Sequence, residues 1–136
     1  MRLRTACFAT LMWVGVNVSA HVNQVTQVTQ VTQVTQGAAI VANRTLGLCV
    51  LCHAVPGVPV TQSGTIGPSL SGVGARWSAP QLREHLVTPE RFNPNTVMPS
   101  VSRSEGFVRL APARRDQALL NEAQIDAVVA YLVTLK

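Results

Sequence analysis

The sequence has few aromatic residues and no stretch that resembles a β-strand. Aromatic side chains account for 4% of its 136 residues, so a core built from protein alone would contain few large rings. Such a core can still form if a large flat cofactor occupies the centre of the domain. No segment alternates apolar and polar residues as a half-buried strand does. We therefore expect an all-α domain with long loops.

Lysine is also nearly absent, and the basic residues are dispersed. The chain has 11 Lys and Arg residues against 6 Asp and Glu, but its single lysine is Lys136. Two of the arginines, Arg2 and Arg4, lie in an N-terminal segment that we predict to be cleaved off as a signal peptide, as described next. A surface that binds nucleic acid needs clustered Lys and Arg, and we find no such stripe, so we predict no nucleic-acid partner.

Residues 1–20 have the layout of a secretory signal peptide. A short basic head precedes an apolar run from Ala6 to Val18, and Val18-Ser19-Ala20 provides small residues for cleavage. The alternative is a membrane anchor, but the apolar run is shorter than the roughly 20 residues that a spanning helix needs. We predict cleavage after Ala20, export to the periplasm and no membrane span in the mature protein.

Processing would leave two cysteines, Cys49 and Cys52, in the sequence Cys49-Val50-Leu51-Cys52-His53. This C-x-x-C-H pattern is the attachment signal for a c-type haem. The thiols can add to the two vinyl groups of one porphyrin, and the imidazole of His53 can then ligate iron. A zinc ribbon would need a second Cys or His pair, and a thioredoxin-like site would need a βαβ context; neither is present. We predict one covalent haem c and no structural disulfide.

Between the signal and the haem motif lies a three-residue repeat. Residues 21–36 contain Val-Asn-Gln once and then Val-Thr-Gln four times. A period of three matches neither a strand nor a helix, and Val and Thr are poor helix formers. We expect a flexible spacer, with a partner-binding strand as the alternative, followed by one compact domain over residues 37–136.

Three helices are predicted in that domain. The first covers Ala38–Leu46. The second follows Ser78, whose capping box with Gln81 precedes an apolar pattern that Pro89 ends. The third follows Asn121, where Gln124 completes a second capping box. We expect the N-terminal and C-terminal helices to cross and close the domain around the haem.

The second ligand of the iron should come from a residue well downstream of His53, where a chain that wraps the haem would reach its opposite face. Met98 is the only methionine left after processing, and it lies in a loop well downstream of His53. His–Met ligation is a standard arrangement in cytochromes c, so we predict metal ligation by His53 and Met98. The alternatives are His85, His21 and a terminal group.

Four further residues are predicted to surround the haem. A proximal imidazole needs a hydrogen-bond acceptor for its second nitrogen, and the Pro68 carbonyl, in Gly67-Pro68-Ser69-Leu70, is the natural one. Leu70 would pack on the ring. We assign Arg76 and Trp77 to the haem propionates because both side chains donate hydrogen bonds; a surface arginine and a core tryptophan are the alternative interpretations.

Beyond these motifs, the sequence resembles SoxX, the monohaem class I cytochrome c subunit of the periplasmic SoxAX complex. The resemblance covers residues 37–136 and is most specific at Asn93–Pro99. It rests on the following segments: Gly47–His53, Gly64–Leu70, Gly72–Trp77, Asn93–Pro99, Val108–Ala113 and Val128–Leu135.

The resemblance implies a class I cytochrome c fold and a heterodimer with a SoxA-like subunit. In that family the complex is an L-cysteine S-thiosulfotransferase, which oxidatively couples thiosulfate to a cysteine of the carrier protein SoxYZ and passes electrons to a cytochrome c. The substrate site is on the partner, so this chain would contribute electron transfer and no catalytic residue of its own.

Two other functions remain open on the sequence. One is a free-standing electron carrier, which would use a ring of lysines around the haem edge for transient docking; a single terminal lysine argues against it. The other is a haem-free binding module presented on a spacer, which a covalent haem would rule out.

Overall fold

The computed structural model describes residues 18–59, 62–107, 111–112 and 115–136, with the backbone alone for 18–25. Throughout this described part the regular structure is helical, and no strand occurs. This confirms the predicted all-α class. Its elements are α1 (Val18–Ala42), α2 (Cys49–Cys52), α3 (Val73–Arg76), α4 (Ala79–Val87), a 3₁₀ turn (Pro89–Arg91) and α5 (Glu122–Thr134).

Most of the predicted signal peptide lies outside the described residues, as do 108–110 and 113 of the Val108–Ala113 segment. Val18–Ala20 form the start of α1. The division of the chain at residues 20 and 36 stays a prediction. No helix in the described ranges is both long and apolar enough to cross a membrane.

The Val-Thr-Gln repeat is helical, which differs from the flexible spacer that we expected. The hydroxyls of Thr32 and Thr35 donate to the carbonyls of Val28 and Val31, at 2.8 and 2.9 Å. Adding residues to an existing helix is far easier than nucleating one, and α1 continues into a packed segment that begins at Gly37. That continuation compensates for the modest helix propensities of Val and Thr.

A three-residue period on an α-helix turns each successive unit by about 60° relative to the last. The valines of the repeat therefore spiral around α1 instead of forming one apolar face. Val28 and Val31 are 67% and 66% exposed as a result. The repeat contributes little to the core.

The first predicted helix, Ala38–Leu46, ends four residues later than the observed helix α1 does. α1 stops at Ala42 because the side-chain oxygen of Asn43 accepts hydrogen bonds from the backbone N–H groups of Thr45 and Leu46, both at 2.8 Å. An asparagine that satisfies the following N–H groups favours a turn over continued helix. The chain is thereby redirected toward the haem motif.

α1 and α5 cross closely, as predicted for the terminal helices. A Cβ atom placed on Gly37 would lie 2.0 Å from the carbonyl oxygen of Ala127 and 2.8 Å from Cβ of Tyr131. Only glycine permits this approach of the two backbones. The crossing brings Val41, which is fully buried, against the apolar face of α5.

Both predicted capping boxes are present. Ser78 and Gln81 begin α4, with Pro80 in its first turn, and Asn121 and Gln124 begin α5. Each box satisfies N–H groups that a helix start leaves without partners. The buried apolar core includes Ile40, Val41, Val50, Val73, Leu82, Leu86, Val101, Leu120, Ile125, Val128 and Leu132.

Candidate haem site

The C-x-x-C segment forms a single helical turn, α2, and His53 follows immediately. The backbone N–H of His53 donates to the carbonyl of Cys49 at 2.9 Å. Val50 is 1% exposed and anchors the turn in the core. The two thiols, three positions apart on this turn, are free and half-buried. This arrangement presents both sulfurs and the imidazole from one short rigid element.

Cys49 lies in an apolar environment. Desolvation raises the pKa of its thiol to about 11, with a smaller contribution from Cys52 and an opposing effect of the backbone. Its Sγ donates to the carbonyl of Gly47 at 3.4 Å. A thioether carries no charge, so this environment suits a sulfur bonded to a porphyrin better than it suits a thiolate.

His53 is oriented by the carbonyl of Pro68. Nδ1 of His53 lies 2.7 Å from that oxygen, and because a carbonyl only accepts, Nδ1 carries the proton and donates it. In the neutral imidazole the lone pair is then on Nε2, and this is the form of histidine that binds iron. The acceptor that the sequence suggested is thus the group that fixes this ring.

The loop around Pro68 is bonded to the haem motif through backbone groups. Gly67 donates to the carbonyl of Cys52 at 2.8 Å, and Leu70 donates to that of Ala54 at 2.9 Å. A Cβ on Gly67 would lie 2.5 Å from Cε1 of His53, so the imidazole rests directly on this glycine. We did not predict a role for Gly67, although the Gly-Pro-x-Leu motif contained the signal.

Arg76 bonds to the two residues that flank Leu70. Leu70 is half-buried and packs against the core. The guanidinium of Arg76 donates to the carbonyls of Ser71, at 2.9 Å, and Ser69, at 3.3 Å. Arg76 therefore braces the loop that follows Pro68, and its predicted bond to a propionate would use its remaining N–H groups.

Trp77 belongs to a cluster of three rings. Its centroid lies 4.8 Å from that of His85 and 5.9 Å from that of Phe92, in edge-on geometry. Desolvation lowers the pKa of His85, an effect that Glu84 only partly offsets. Trp77 is half-buried in this cluster, and its predicted contact with a propionate stays a prediction.

Met98 is half-buried and packs against the core, whereas its neighbour Val97 is 82% exposed. The segment is fixed to α4 just after Met98. There the Ser100 hydroxyl donates to the carbonyl of Val87 at 2.6 Å, and the N–H of Val101 donates to that of Leu86 at 2.9 Å. Met98 is thus positioned by a different element from the one that carries His53.

These donors fit a c-type haem. Cys49 and Cys52 offer two free thiols one turn apart, and His53 offers an oriented imidazole with a free Nε2. The other alternative ligand of the sequence, His21, falls in the stretch described only by its backbone. The residues around His53 are brought together by direct hydrogen bonds, and Met98 packs against the core from the loop that is fixed to α4.

Comparison with known proteins shows the family of the chain. Residues 34–136 match the cytochrome c family. One chain in the crystal structure of SoxXA from P. pantotrophus is similar in fold, with a TM-score of 0.66 and 37% sequence identity over 75% of this chain and 80% of that chain. No curated protein matches the sequence. The chain belongs to the cytochrome c family, as a class I cytochrome of the SoxX type.

Proposed function

We propose that this chain is the electron-accepting subunit of a periplasmic SoxAX complex. In that assembly a SoxA-like partner would carry the thiosulfate site, a SoxYZ-type carrier protein would supply the acceptor cysteine, and a cytochrome c would receive the electrons. The observation that carries the proposal is the similarity to a chain of SoxXA together with the oriented His53.

A bound haem c would supply one-electron chemistry, and the chain would anchor and tune it. Cys49 and Cys52 would hold the porphyrin covalently, and Nε2 of His53 would ligate iron. Because the carbonyl of Pro68 accepts a hydrogen bond from Nδ1–H, the imidazole keeps one orientation and becomes more basic. His53 would then present Nε2 to the iron in one fixed orientation.

Met98 is proposed as the second axial ligand. A thioether sulfur is a weak donor that stabilises ferrous iron, so His–Met ligation gives a relatively high reduction potential. Such a haem accepts electrons readily. The position of Met98 after α4 and its half-buried side chain support this role. The high reduction potential that such ligation gives is what an electron-accepting subunit needs.

The surface near these ligands favours a lasting partner over transient docking. Three apolar side chains are exposed there: Leu51 by 36%, Ile66 by 72% and Val97 by 82%. In the sequence, these side chains lie within one or two positions of Cys52, Pro68 and Met98, the residues proposed to hold the haem or to orient its ligand. Free carriers recruit partners through charge, whereas the centre of a stable interface is apolar and depleted of charge. These three side chains are here called the apolar rim.

The proposal is tested by co-expressing the chain with the SoxA subunit of its own genome. We expect a complex that survives gel filtration and contains a haem that stays covalently bound after denaturation. Placing lysine on the rim, in Ile66→Lys with Val97→Lys, should release the partner because it puts charge into an apolar interface.

The matched control is Val28→Lys, because Val28 is similarly exposed but lies on α1 within the repeat. That variant should copurify as the unmodified chain does. A monodisperse monomer in the presence of the SoxA subunit would contradict the proposal and favour a free-standing carrier. A chain without covalent haem would contradict both.

A further inference from the structure

The segment that carries Met98 is folded by hydrogen bonds to its own backbone. Residues 93–96 form a tight turn, in which the N–H of Thr96 donates to the carbonyl of Asn93 at 3.0 Å. The side-chain oxygen of Asn93 accepts from the N–H of Asn95, also at 3.0 Å. Asparagine at the first position of a turn and proline at the second, here Pro94, both favour this geometry.

Thr96 is bonded directly to the backbone of Met98. Its hydroxyl oxygen accepts from the N–H of Met98 at 3.1 Å. After Met98, Pro99 has no N–H group and favours an extended conformation at Met98. Ser100 then ties the chain to α4 through the carbonyl of Val87. Met98 is thus held by one hydroxyl two positions before it and by another two positions after it.

The burial of these residues alternates along the chain. Thr96 and Met98 are half-buried and Ser100 is 5% exposed, whereas Val97 and Pro99 are exposed. Successive side chains of an extended chain point to opposite faces, so the two hydroxyls share the inward side with Met98. The contacts that fix Met98 are consequently on the protein side of the segment.

We propose that Thr96 is a positioning residue for the second axial ligand, and that its bond to the Met98 N–H limits how readily a small molecule displaces the Met98 sulfur. This inference rests on the proposed ligation of iron by Met98. Groups that orient a ligand help to tune a metal site. A segment that stays closed keeps two protein ligands on the iron, so the haem transfers electrons and does not bind small molecules from the solvent.

The size of the effect follows from competition between Met98 and an added ligand. Imidazole can bind the ferric iron only in molecules whose Met98 has been released, so its apparent affinity is proportional to the released fraction. Loss of one intramolecular hydrogen bond changes such a fraction by about twofold to tenfold. Binding is measured as the disappearance of the long-wavelength charge-transfer band during titration with imidazole.

The test is Thr96→Val in the haem-loaded protein, which keeps the shape of the side chain and removes the hydroxyl. We expect the apparent affinity for imidazole to rise by about twofold to tenfold. Thr96→Ser returns the hydroxyl and should restore the affinity to within about twofold of the unmodified protein.

Two control variants separate this role from a general loosening of the fold. Thr35→Val makes the same chemical change on α1, where the hydroxyl bonds to the carbonyl of Val31. Gly37→Ala strains the crossing of α1 with α5, because its new Cβ would lie 2.0 Å from the Ala127 carbonyl oxygen. Both should leave the affinity for imidazole unchanged, because the Met98 segment opens locally, without separation of α1 from α5.

An affinity in Thr96→Val that changes by less than about twofold overturns the proposal. So does a Ser variant that remains as high as the Val variant, or a control that rises as much. If Thr96→Val does not accumulate, hydrogen exchange of the Met98 N–H in the unmodified ferrous protein decides. That amide must exchange more slowly than an unbonded amide in the same sequence, and exchange at the unbonded rate overturns the inference.

The measurements also separate this inference from the proposals above. If the unmodified ferric protein lacks the charge-transfer band, ligation by Met98 fails and the role of Thr96 fails with it. If the band is present and the Thr96 variants bind imidazole as the unmodified protein does, only the role of Thr96 fails. Neither measurement uses the SoxA subunit, so the proposed complex is tested independently.

Discussion

Replacing Gly67 with alanine should displace the proximal histidine. The added Cβ would lie 2.5 Å from Cε1 of His53, 2.7 Å from Nδ1 and 2.9 Å from Nε2. Carbon atoms in contact are normally about 3.5–4.0 Å apart. The backbone of Gly67 is fixed by its bond to Cys52, so the ring must move, and the ring cannot move without stretching its bond to Pro68.

The size of the effect follows from these contacts. Overpacking a filled site costs about 1–3 kcal/mol, and loss of the bond to Pro68 adds about 0.5–1.5 kcal/mol. The smaller conformational freedom of an unfolded alanine returns about 0.4–1 kcal/mol. A net loss of about 2 kcal/mol lowers the melting temperature of a domain of this size by roughly 8–16 °C.

Thermal unfolding of the haem-loaded protein measures the loss, and the hyperfine-shifted NMR signals of the ligating histidine measure the displacement. Gly57→Ala is the matched control. Gly57 has φ of 80° and no atom within 4 Å of a new Cβ, so alanine there strains the backbone but touches nothing. The control should lose stability and keep the histidine signals. A Gly67→Ala protein with unchanged melting and unchanged signals would refute the reasoning.

Two further predictions concern Met98 and the crossing of α1 with α5. Met98→Ala should abolish the long-wavelength charge-transfer band of the ferric protein, measured by absorption, because that band arises from a thioether sulfur bound to iron; an unmodified ferric protein that already lacks the band would point to another ligand, such as His85. Gly37→Ala should lower stability by about 1–3 kcal/mol, measured by denaturant unfolding, because its Cβ would lie 2.0 Å from the Ala127 carbonyl. Ala39→Ser, at an exposed position of the same helix, should change stability by less than about 0.5 kcal/mol; equal losses in both variants would contradict the close crossing.

The parts of the fold that are encoded locally could be predicted from the sequence. The capping boxes at Ser78 and Asn121 each depend on two residues three positions apart, so a short window contains all the information. The Gly-Pro-x-Leu motif is equally local, and it led to the His53–Pro68 bond.

The features that could not be predicted depend on contacts between residues that are distant along the chain, or on a helix being extended by the packed segment that follows it. The period of three in the repeat correctly excludes an apolar helix face, but it does not exclude a helix that a packed segment extends. Arg76 bonds to backbone carbonyls five and seven residues earlier, which its charge alone could not indicate. The contact of Gly67 with His53 joins residues that are fourteen positions apart, and it produces no periodic pattern in the sequence.

The helical repeat gives α1 a length that can change in fixed steps. Each Val-Thr-Gln unit adds about 4.5 Å along the helix axis, and the crossing at Gly37 lies downstream of every unit. Gain or loss of one unit would therefore alter the reach of α1 while the registers of Val41, α2 and the haem site stay as they are. Tandem duplication, which usually disrupts a folded domain, becomes in this protein a way to change how far α1 extends beyond its crossing with α5.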